Sequence, residues 1–310
     1  MRPRILPAVV AALAAATAVP THAQAPPADA TTATPLVTTV AANINISPKR
    51  ITVDPARRNA TVLVVNQGNV PVTIDITMID RIMQPDGQIV AVEDASKKPA
   101  LAPIIAQLHS AKDLLQISPR RVTLQPGKAQ TIRLRLASLP EGEKAAEYRS
   151  HLTVTTVPPP DSGVTAEAAA NAAQNRQLSF RISAVYGVSI PAIVRTSTAA
   201  PAAQLANLHL TSVEVPDKPD QPPKKVTALA LDIVRQGPNS LYGVIEIRSE
   251  RQKKGDTPLG FARGVGVYPE IDHRSVMIPL TRAPAAGEKL DVTFTDDDTS
   301  PGKVLAKSTL

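Results

Sequence analysis

Five histidines are the first residues to consider for metal or acid–base chemistry, and they stand at positions 22, 109, 151, 209 and 273. No two of them have the short spacing at which a turn or helix presents paired zinc ligands. The chain has no cysteine, which removes thiol catalysis and thiolate metal sites. The sequence therefore predicts no metal site.

Three further motifs give weak signals for chemistry. Gly187 opens GVSIP, which begins like a nucleophile elbow but lacks the final glycine and lies inside a strand pattern. Gly264 and Gly266 form a G-x-G without the third glycine and the helix that a dinucleotide site needs. The acidic run at 296–298 lacks the spacing of a calcium loop, so we interpret it as a solvated loop. We therefore expect neither an enzyme nor a cofactor.

The most regular pattern in the chain is QLSFRISAVYGVSIP, residues 177–191. Apolar residues occupy every second position, which predicts a strand with one apolar face. The pattern is longer than the usual strand of about five or six residues. Two interpretations stay open: the face belongs to the core of its own domain, or another protein covers part of it. The alternating apolar residues are Leu178, Phe180, Ile182, Ala184, Tyr186, Val188 and Ile190.

Short strand patterns and turn signals fill most of the remaining chain. Their spacing of about ten residues is typical of a β-sandwich. We predict an all-β protein with two tandem sandwich domains, at 41–195 and 207–310, joined by a linker at 196–206. The polar segment 158–176 predicts a long exposed loop, and 94–112 is the one short helical or loop excursion. Six strand patterns between 207 and 295 make up the second domain.

The N-terminus has the layout of a cleaved secretory signal peptide over residues 1–23. Arg2 and Arg4 precede an apolar run of roughly 15 residues, which is too short to span a bilayer comfortably. A disordered segment rich in Ala, Thr and Pro is expected at 24–40. We therefore expect an exported protein, located in the periplasm, with no stable membrane insertion.

The net charge falls from +7 to +5 when Arg2 and Arg4 are removed with the signal peptide. The remaining basic pairs are scattered, and aromatic residues make up only 2% of the chain, so stacking platforms for single-stranded nucleic acid are missing. We expect no nucleic-acid partner. With no Trp, four Tyr and three Phe, a sugar-binding or sugar-acting protein is also disfavoured.

Three stretches together resemble the periplasmic pilus-assembly chaperones. They are ISPKRITVD at 46–54, ISPRRVTLQPGKAQTIRLRL at 117–136 and EYRSHLTV at 147–154. The third resembles the family signature G-E-Y-R-[ST]-H-[LF], although Ala146 stands where glycine is common. Their order and spacing agree with the family over most of 44–195, whereas the second domain agrees only in being a smaller β-rich unit.

The resemblance implies two immunoglobulin-like domains whose cleft receives an incomplete pilus or fimbrial subunit. In this family a chaperone strand completes the subunit by β-augmentation before delivery to an outer-membrane usher. Donor residues would then be Leu178, Phe180, Ile182, Ala184 and Tyr186. Arg50 matches the arginine that anchors the client's C-terminal carboxylate, for which a guanidinium is well suited. The resemblance implies no cofactor.

This chain departs from the family at the second basic anchor. Either Tyr186 or Pro191 stands where the family has a lysine, depending on the alignment, and Arg181 or Arg195 could substitute. Tyr148 and Arg149 are interpreted as structural. An exported structural or adhesion module without chaperone activity remains the alternative function.

Overall fold

The computed structural model describes residues 43–141, 145–158, 184–216, 222–253 and 255–310. Strands dominate these ranges, and they pair into two sandwiches. The first part of the chain contains β1 (Ile44–Ser47), β2 (Ile51–Val53), β3 (Asn59–Asn66), β4 (Val72–Ile79), β5 (Arg81–Met83), β6 (Ile89–Ala91), β7 (Leu115–Ser118), β8 (Arg121–Leu124), β9 (Ala129–Leu136), β10 (Glu147–Val157) and β11 (Gly187–Arg195).

Two sheets form the first sandwich, with strand orders β1-β3-β9-β7 and β2-β11-β10-β4-β8. The chain passes from β1 in one sheet to β2 in the other, and β2 runs parallel to β11. Every other strand pair in the two sheets is antiparallel. This distribution of strands is that of an immunoglobulin-like sandwich.

Alternation of apolar and polar residues builds the core of the first sandwich. In β4, VTIDITMI, Val72, Ile74, Ile76 and Met78 are buried and the residues between them are less so. Strands β3 and β9 alternate in the same way from the opposite sheet. The core is formed by side chains such as Ile46, Val62, Val64, Ile74, Ile76, Ile132, Leu134, Leu136, Leu152 and Val154.

Two short α-helices follow the β5–β6 hairpin, in the region where the sequence predicts a helical or loop excursion. They are α1 (Val92–Ala95) and α2 (Ala102–Ala106), with a 3-10 turn at Pro99–Leu101 between them. Buried side chains of Ile82, Ala95 and Leu101 hold this excursion together as a small separate cluster. The excursion thereby fixes the position of the β5–β6 hairpin.

A second sandwich contains β12 (Ala203–Val215), β13 (Lys224–Arg235), β14 (Leu241–Ser249), β15 (Gly260–Val267), β16 (His273–Pro279), β17 (Leu290–Asp296) and β18 (Val304–Thr309). Its sheets have the orders β12-β13-β16 and β15-β14-β17-β18. Strand β12 begins inside the segment predicted as a linker, and β18 lies beyond the last predicted strand. The all-β prediction with two tandem immunoglobulin-like sandwiches is confirmed.

The two sandwiches share core residues. Met83 of the β5–β6 hairpin and Ile193 of β11 belong to the first part of the chain, yet both pack into the apolar core of the second sandwich. The Ser275 N–H of β16 donates a hydrogen bond to the Pro85 carbonyl oxygen in the hairpin turn (2.7 Å). The β5–β6 hairpin and β11 are therefore the parts of the first sandwich that contact the second sandwich here.

Several expectations fall outside the described ranges, including the signal peptide at 1–23, the segment 24–40 and most of the loop at 158–176. Within the described residues, no helix has the length and hydropathy needed to cross a bilayer. No group of three or more potential metal ligands occurs in those residues either.

Candidate functional site

Strand β11 has an open edge over its first half. On one side it pairs with β10 along its whole length, from Gly187 opposite Thr155 to Arg195 opposite Glu147. On the other side β2 covers only Ala192–Val194. Within the described ranges, no strand pairs with this outer side of residues 187–191. An unpaired edge of this kind is a template for an added strand.

The structure starts β11 later than the sequence pattern suggested. The pattern at 177–191 predicts one strand, whereas β11 runs from Gly187 to Arg195 and continues past Pro191. Proline is tolerated because this stretch has a strand partner on one side only. Residues 184–186 precede the strand, but the Thr156 N–H still donates to the Tyr186 carbonyl oxygen (2.8 Å).

The apolar face of this segment divides between two environments. Ile190 is buried in the first core and Val188 packs against it, which agrees with the interpretation of a domain's own core. Tyr186 lies on the same face by alternation but is 40% exposed, and Ala184 is exposed as well. The other predicted donor residues lie outside the described residues: Leu178, Phe180 and Ile182. Arg181, one candidate for the second basic anchor, lies there too.

Arg50 lies at the junction of the two sandwiches, immediately before β2. Its side chain is only 8% exposed, and its guanidinium lies over the rings of Tyr242 (5.0 Å) and Tyr268 (5.6 Å) from the second sandwich. Nη2 donates to Ser240 Oγ (2.7 Å) and approaches Asp298 Oδ2 (3.4 Å). Nε and Nη1 are buried without a partner among the described atoms. The guanidinium thus retains donors that an acceptor group could use.

A network of acids and arginines surrounds Arg50. Glu147 Oε2, fully buried, accepts from the Ser240 N–H (3.1 Å), the Ser240 hydroxyl (3.0 Å) and Arg195 Nη2 (3.2 Å). Arg195 also contacts Asp298 Oδ2 (3.1 Å). These bonds join the end of β11 to the second sandwich. Arg195 is therefore already paired with two carboxylates, and it does not supply a free second anchor.

The interpretation of residues 296–298 as a solvated loop is wrong for two of the three acids. Asp296 is buried, and its carboxylate accepts N–H bonds from Asp298 (3.1 Å) and Ser300 (2.6 Å) in its own turn. Asp298 bridges two arginines of the first sandwich. The sequence could not show this, because the contacts depend on how the sandwiches meet.

Arg149 connects the sandwiches at a second point. Its guanidinium forms a buried ion pair with Glu270, lies 4.0 Å from the Tyr268 ring centroid and donates to the Arg81 carbonyl oxygen (2.9 Å). Glu270 Oε1 also accepts the Met83 N–H (2.8 Å). These contacts agree with the interpretation of Arg149 as structural. Glu270 and Tyr268 carry no sequence signal that would single them out.

His151 lies next to Arg149 on the same face of β10. Burial, and then the charges of Arg149, Arg81 and Arg50, lower the pKa of His151 to about 2. The imidazole is therefore neutral at physiological pH. Its Nδ1 lies 3.2 Å from Arg149 Nη1 and can accept a hydrogen bond from it.

A cavity of about 460 Å³ lies between β11, the β5–β6 hairpin and the second sandwich, and we call it the cleft cavity. Gly187, Ser189 and Pro191 of β11 line it. Its walls also include Arg81, His151, Tyr268 and Arg274. An open strand edge, an apolar segment and a cationic cavity thus occur side by side at the junction.

Comparison with known proteins gave structural matches only. No protein-family model matches the sequence. No curated protein sequence matches it either. Among solved structures, the E. coli chaperone DraB matches with a TM-score of 0.41 and 13% identity, over 87% of this chain and 98% of the other.

Two further matches have similar values. The Pseudomonas aeruginosa CupB2 chaperone has a TM-score of 0.40 and 11% identity, over 86% of this chain and 97% of the other. The Salmonella enterica SafA pilin in complex with the SafB chaperone has a TM-score of 0.41 and 10% identity, over 87% of this chain and 96% of the other. Each of these three matches is a chaperone or a chaperone complex and covers most of this chain.

Proposed function

We propose that this protein is a periplasmic chaperone of the pilus-assembly type. It binds an incomplete β-sandwich subunit by strand addition at β11 and delivers it to an outer-membrane usher. The single observation that carries the proposal is the open edge of β11 at 187–191. The sequence resemblance over 44–195 supports the same function.

The segment before Gly187 supplies the apolar part of the interaction. Exposed Ala184 and Tyr186 continue the alternation that begins in the core at Ile190. We propose that Leu178, Phe180 and Ile182 extend it as donor residues into the groove of the client. Main-chain hydrogen bonds would then give affinity, and the alternate side chains would give specificity.

Arg50 is the proposed anchor of the client's C-terminal carboxylate. Its position at the domain junction and its two buried nitrogens without a partner in the described structure support this role. A carboxylate would accept charge-assisted hydrogen bonds from these donors. Because Asp298 already lies 3.4 Å from Nη2, the client carboxylate would compete with an internal one. No ATP or cofactor takes part in such an exchange.

A recovery experiment with a matched control tests the proposal. Tagged mature protein is isolated from the periplasm of its host, and co-purified proteins are identified by mass spectrometry. Tyr186→Lys is compared with Leu63→Lys, because Leu63 is an equally exposed apolar residue (43%) on the other sheet. Small exported β-rich subunits should be recovered with wild type and Leu63→Lys, and several-fold less with Tyr186→Lys.

The remaining outcomes decide between the functions. Equal recovery of subunits by Tyr186→Lys and Leu63→Lys would rule out strand addition at this segment. Recovery of no such subunit, even by wild type, would favour the structural or adhesion module. Arg50→Gln tests the anchor separately. Undiminished recovery of subunits would show that Arg50 is not the anchor, and it would not contradict strand addition. Circular dichroism of each variant shows whether it is folded.

A further inference from the structure

A groove on the outer face of the first sandwich lies away from the domain junction. Its volume is about 640 Å³, and it crosses strands β3, β9 and β7. Three arginines line it: Arg133 and Arg135 come from β9, and Arg120 comes from the connection between β7 and β8. We call it the arginine groove. Because β11 belongs to the other sheet, the groove takes no part in the proposed strand addition.

Strand register places the two arginines of β9 in neighbouring rows across the sheet. Each is paired with one short polar residue of β3 and one of β7. The pairs are Asn59 and Gln116 beside Arg135, and Thr61 and Ser118 beside Arg133. All six side chains are exposed. Alternate residues of a strand share one face and lie roughly 7 Å apart. The sheet therefore presents two guanidinium groups side by side, each flanked by side chains that can form hydrogen bonds.

No acid balances the charge of the arginine groove. Neither Asp nor Glu occurs among the residues that line it. In the described part of the chain, Arg120, Arg133 and Arg135 form no ion pair within 4.0 Å. Arginine remains protonated at physiological pH. The groove thus carries three positive charges that the described residues do not neutralise.

Protection of a sheet edge does not explain these arginines. Charged side chains commonly guard edge strands against pairing with another chain. Strand β9 is a central strand, since it pairs with β3 on one side and with β7 on the other. Two like charges on one strand also repel each other, so their presence adds nothing to the stability of the sheet. The arrangement points to a partner outside the chain.

The lining of the groove indicates the chemistry of that partner. No aromatic side chain and no fully exposed aliphatic side chain lines it, whereas protein interfaces draw affinity from such anchors near their centre. A single small anion gains little from exposed arginines, because water and salt screen the attraction. A membrane surface presents many anionic headgroups at once, and each basic residue near it adds to the binding without an apolar anchor.

We propose that the arginine groove binds the phosphate groups of an anionic phospholipid surface. A guanidinium matches the oxygens of a phosphate with two parallel hydrogen bonds, and the flanking amides and hydroxyls can donate further ones. The sequence predicts an exported protein, and export brings the chain to a bilayer surface. This inference goes beyond the proposed function and does not rest on it, since the open edge of β11 lies on the other sheet.

Flotation of the mature protein with lipid vesicles tests the inference. Vesicles of phosphatidylethanolamine and phosphatidylglycerol should bind the protein, and vesicles of phosphatidylcholine alone should not. Binding should weaken as sodium chloride is raised, because salt screens exposed charges. The triple variant Arg120→Gln/Arg133→Gln/Arg135→Gln should bind the anionic vesicles on the order of a hundredfold more weakly, since each basic residue contributes about fivefold.

Two control variants separate the groove from net charge and from folding. Arg251→Gln/Lys253→Gln/Lys289→Gln removes the same charge from exposed residues of the second sandwich and should bind like wild type. Replacing the three groove arginines with lysine keeps the charge and should keep most of the binding. If wild type does not bind the anionic vesicles, or if both glutamine variants lose binding equally, the inference is overturned.

Soluble anions test the other sources of negative charge. The Nε–Hε signals of Arg133 and Arg135 are followed by NMR and assigned with single lysine variants. Inorganic phosphate should shift them no more than sodium sulfate of equal ionic strength does, whereas saturable shifts specific to phosphate would indicate a small-anion site instead. Polyaspartate at equal charge concentration should leave the protein on the vesicles. Its release would assign the groove to an acidic polypeptide and overturn the assignment to lipid.

Discussion

The buried pair Arg149–Glu270 allows a quantitative test of how the sandwiches are joined. Both side chains are almost fully buried, with 2% and 1% exposure, and they come from different sandwiches. Glu270→Gln keeps an oxygen for the Met83 N–H but leaves the Arg149 charge unpaired. Removing one partner of a buried pair costs about 3–5 kcal/mol, and the lower end applies because the acceptor is retained.

This loss converts into a large thermal shift. For a chain of this size about 1 kcal/mol corresponds to roughly 2–4 °C, so Glu270→Gln should lower Tm by about 6–12 °C. Scanning calorimetry at neutral pH measures it. Asp75→Asn is the matched control, because it breaks the exposed pair with Arg121 and should lower Tm by no more than about 2–4 °C.

A double replacement shows whether the charge itself causes the effect. Arg149→Met/Glu270→Leu removes both charges and leaves apolar side chains in their place. Its free energy of unfolding should therefore lie much closer to that of wild type than that of Arg149→Met alone or Glu270→Leu alone does. If Glu270→Gln shifts Tm no more than Asp75→Asn does, or if the single effects simply add in the double variant, the reasoning about this pair is refuted.

Three further predictions concern the same junction. Because the folded pKa of His151 lies far below its unfolded value of 6.5, its contribution to the free energy of unfolding is fully present above pH 6.5 and falls by about 2 kcal/mol towards pH 5; the free energy of unfolding of His151→Gln, measured in urea, should depend less on pH in this range, and an identical pH dependence would contradict the low pKa. Gly87→Ala should lower stability by about 1–2 kcal/mol and displace Arg274, seen as a changed Nε–Hε signal; an unchanged signal would argue against the close approach. Asp298→Asn should weaken the internal competitor at Arg50 and increase subunit recovery several-fold, whereas a decrease would show that Asp298 serves only to hold the sandwiches together.

Period-two alternation explains why so much of the fold was predictable. Strands such as β4 and β9 bury one face, so their sequences carry the pattern directly. The beginning of β11 was less accessible to this reasoning. Tyr186 and Ile190 lie on the same face by alternation, but Ile190 is a buried strand residue and Tyr186 is an exposed residue that precedes the strand. The alternation of residue types does not show which residues are strand-paired or buried.

The junction was predictable only in part. Arg50 was identified through its place in a recognisable motif, and it does lie between the sandwiches. Its partners Ser240, Tyr242 and Asp298 come from turns and strands about 190 to 250 positions away, and no local pattern relates them to it. Arg274 is an ordinary strand residue by sequence, and only the tertiary structure brings it to the cavity that Arg81 also lines.

The shared core has a consequence for the order of events during synthesis. A chain made from its N-terminus completes the strands of the first sandwich well before β12–β18 exist. Met83 and Ile193, both buried in the second core, then have nothing to pack against. A nascent first sandwich therefore exposes an apolar surface until the strands of the second sandwich have been synthesised. Truncated chains that stop near 200 should be recognised by quality-control proteases, even though every strand of their own sandwich is present.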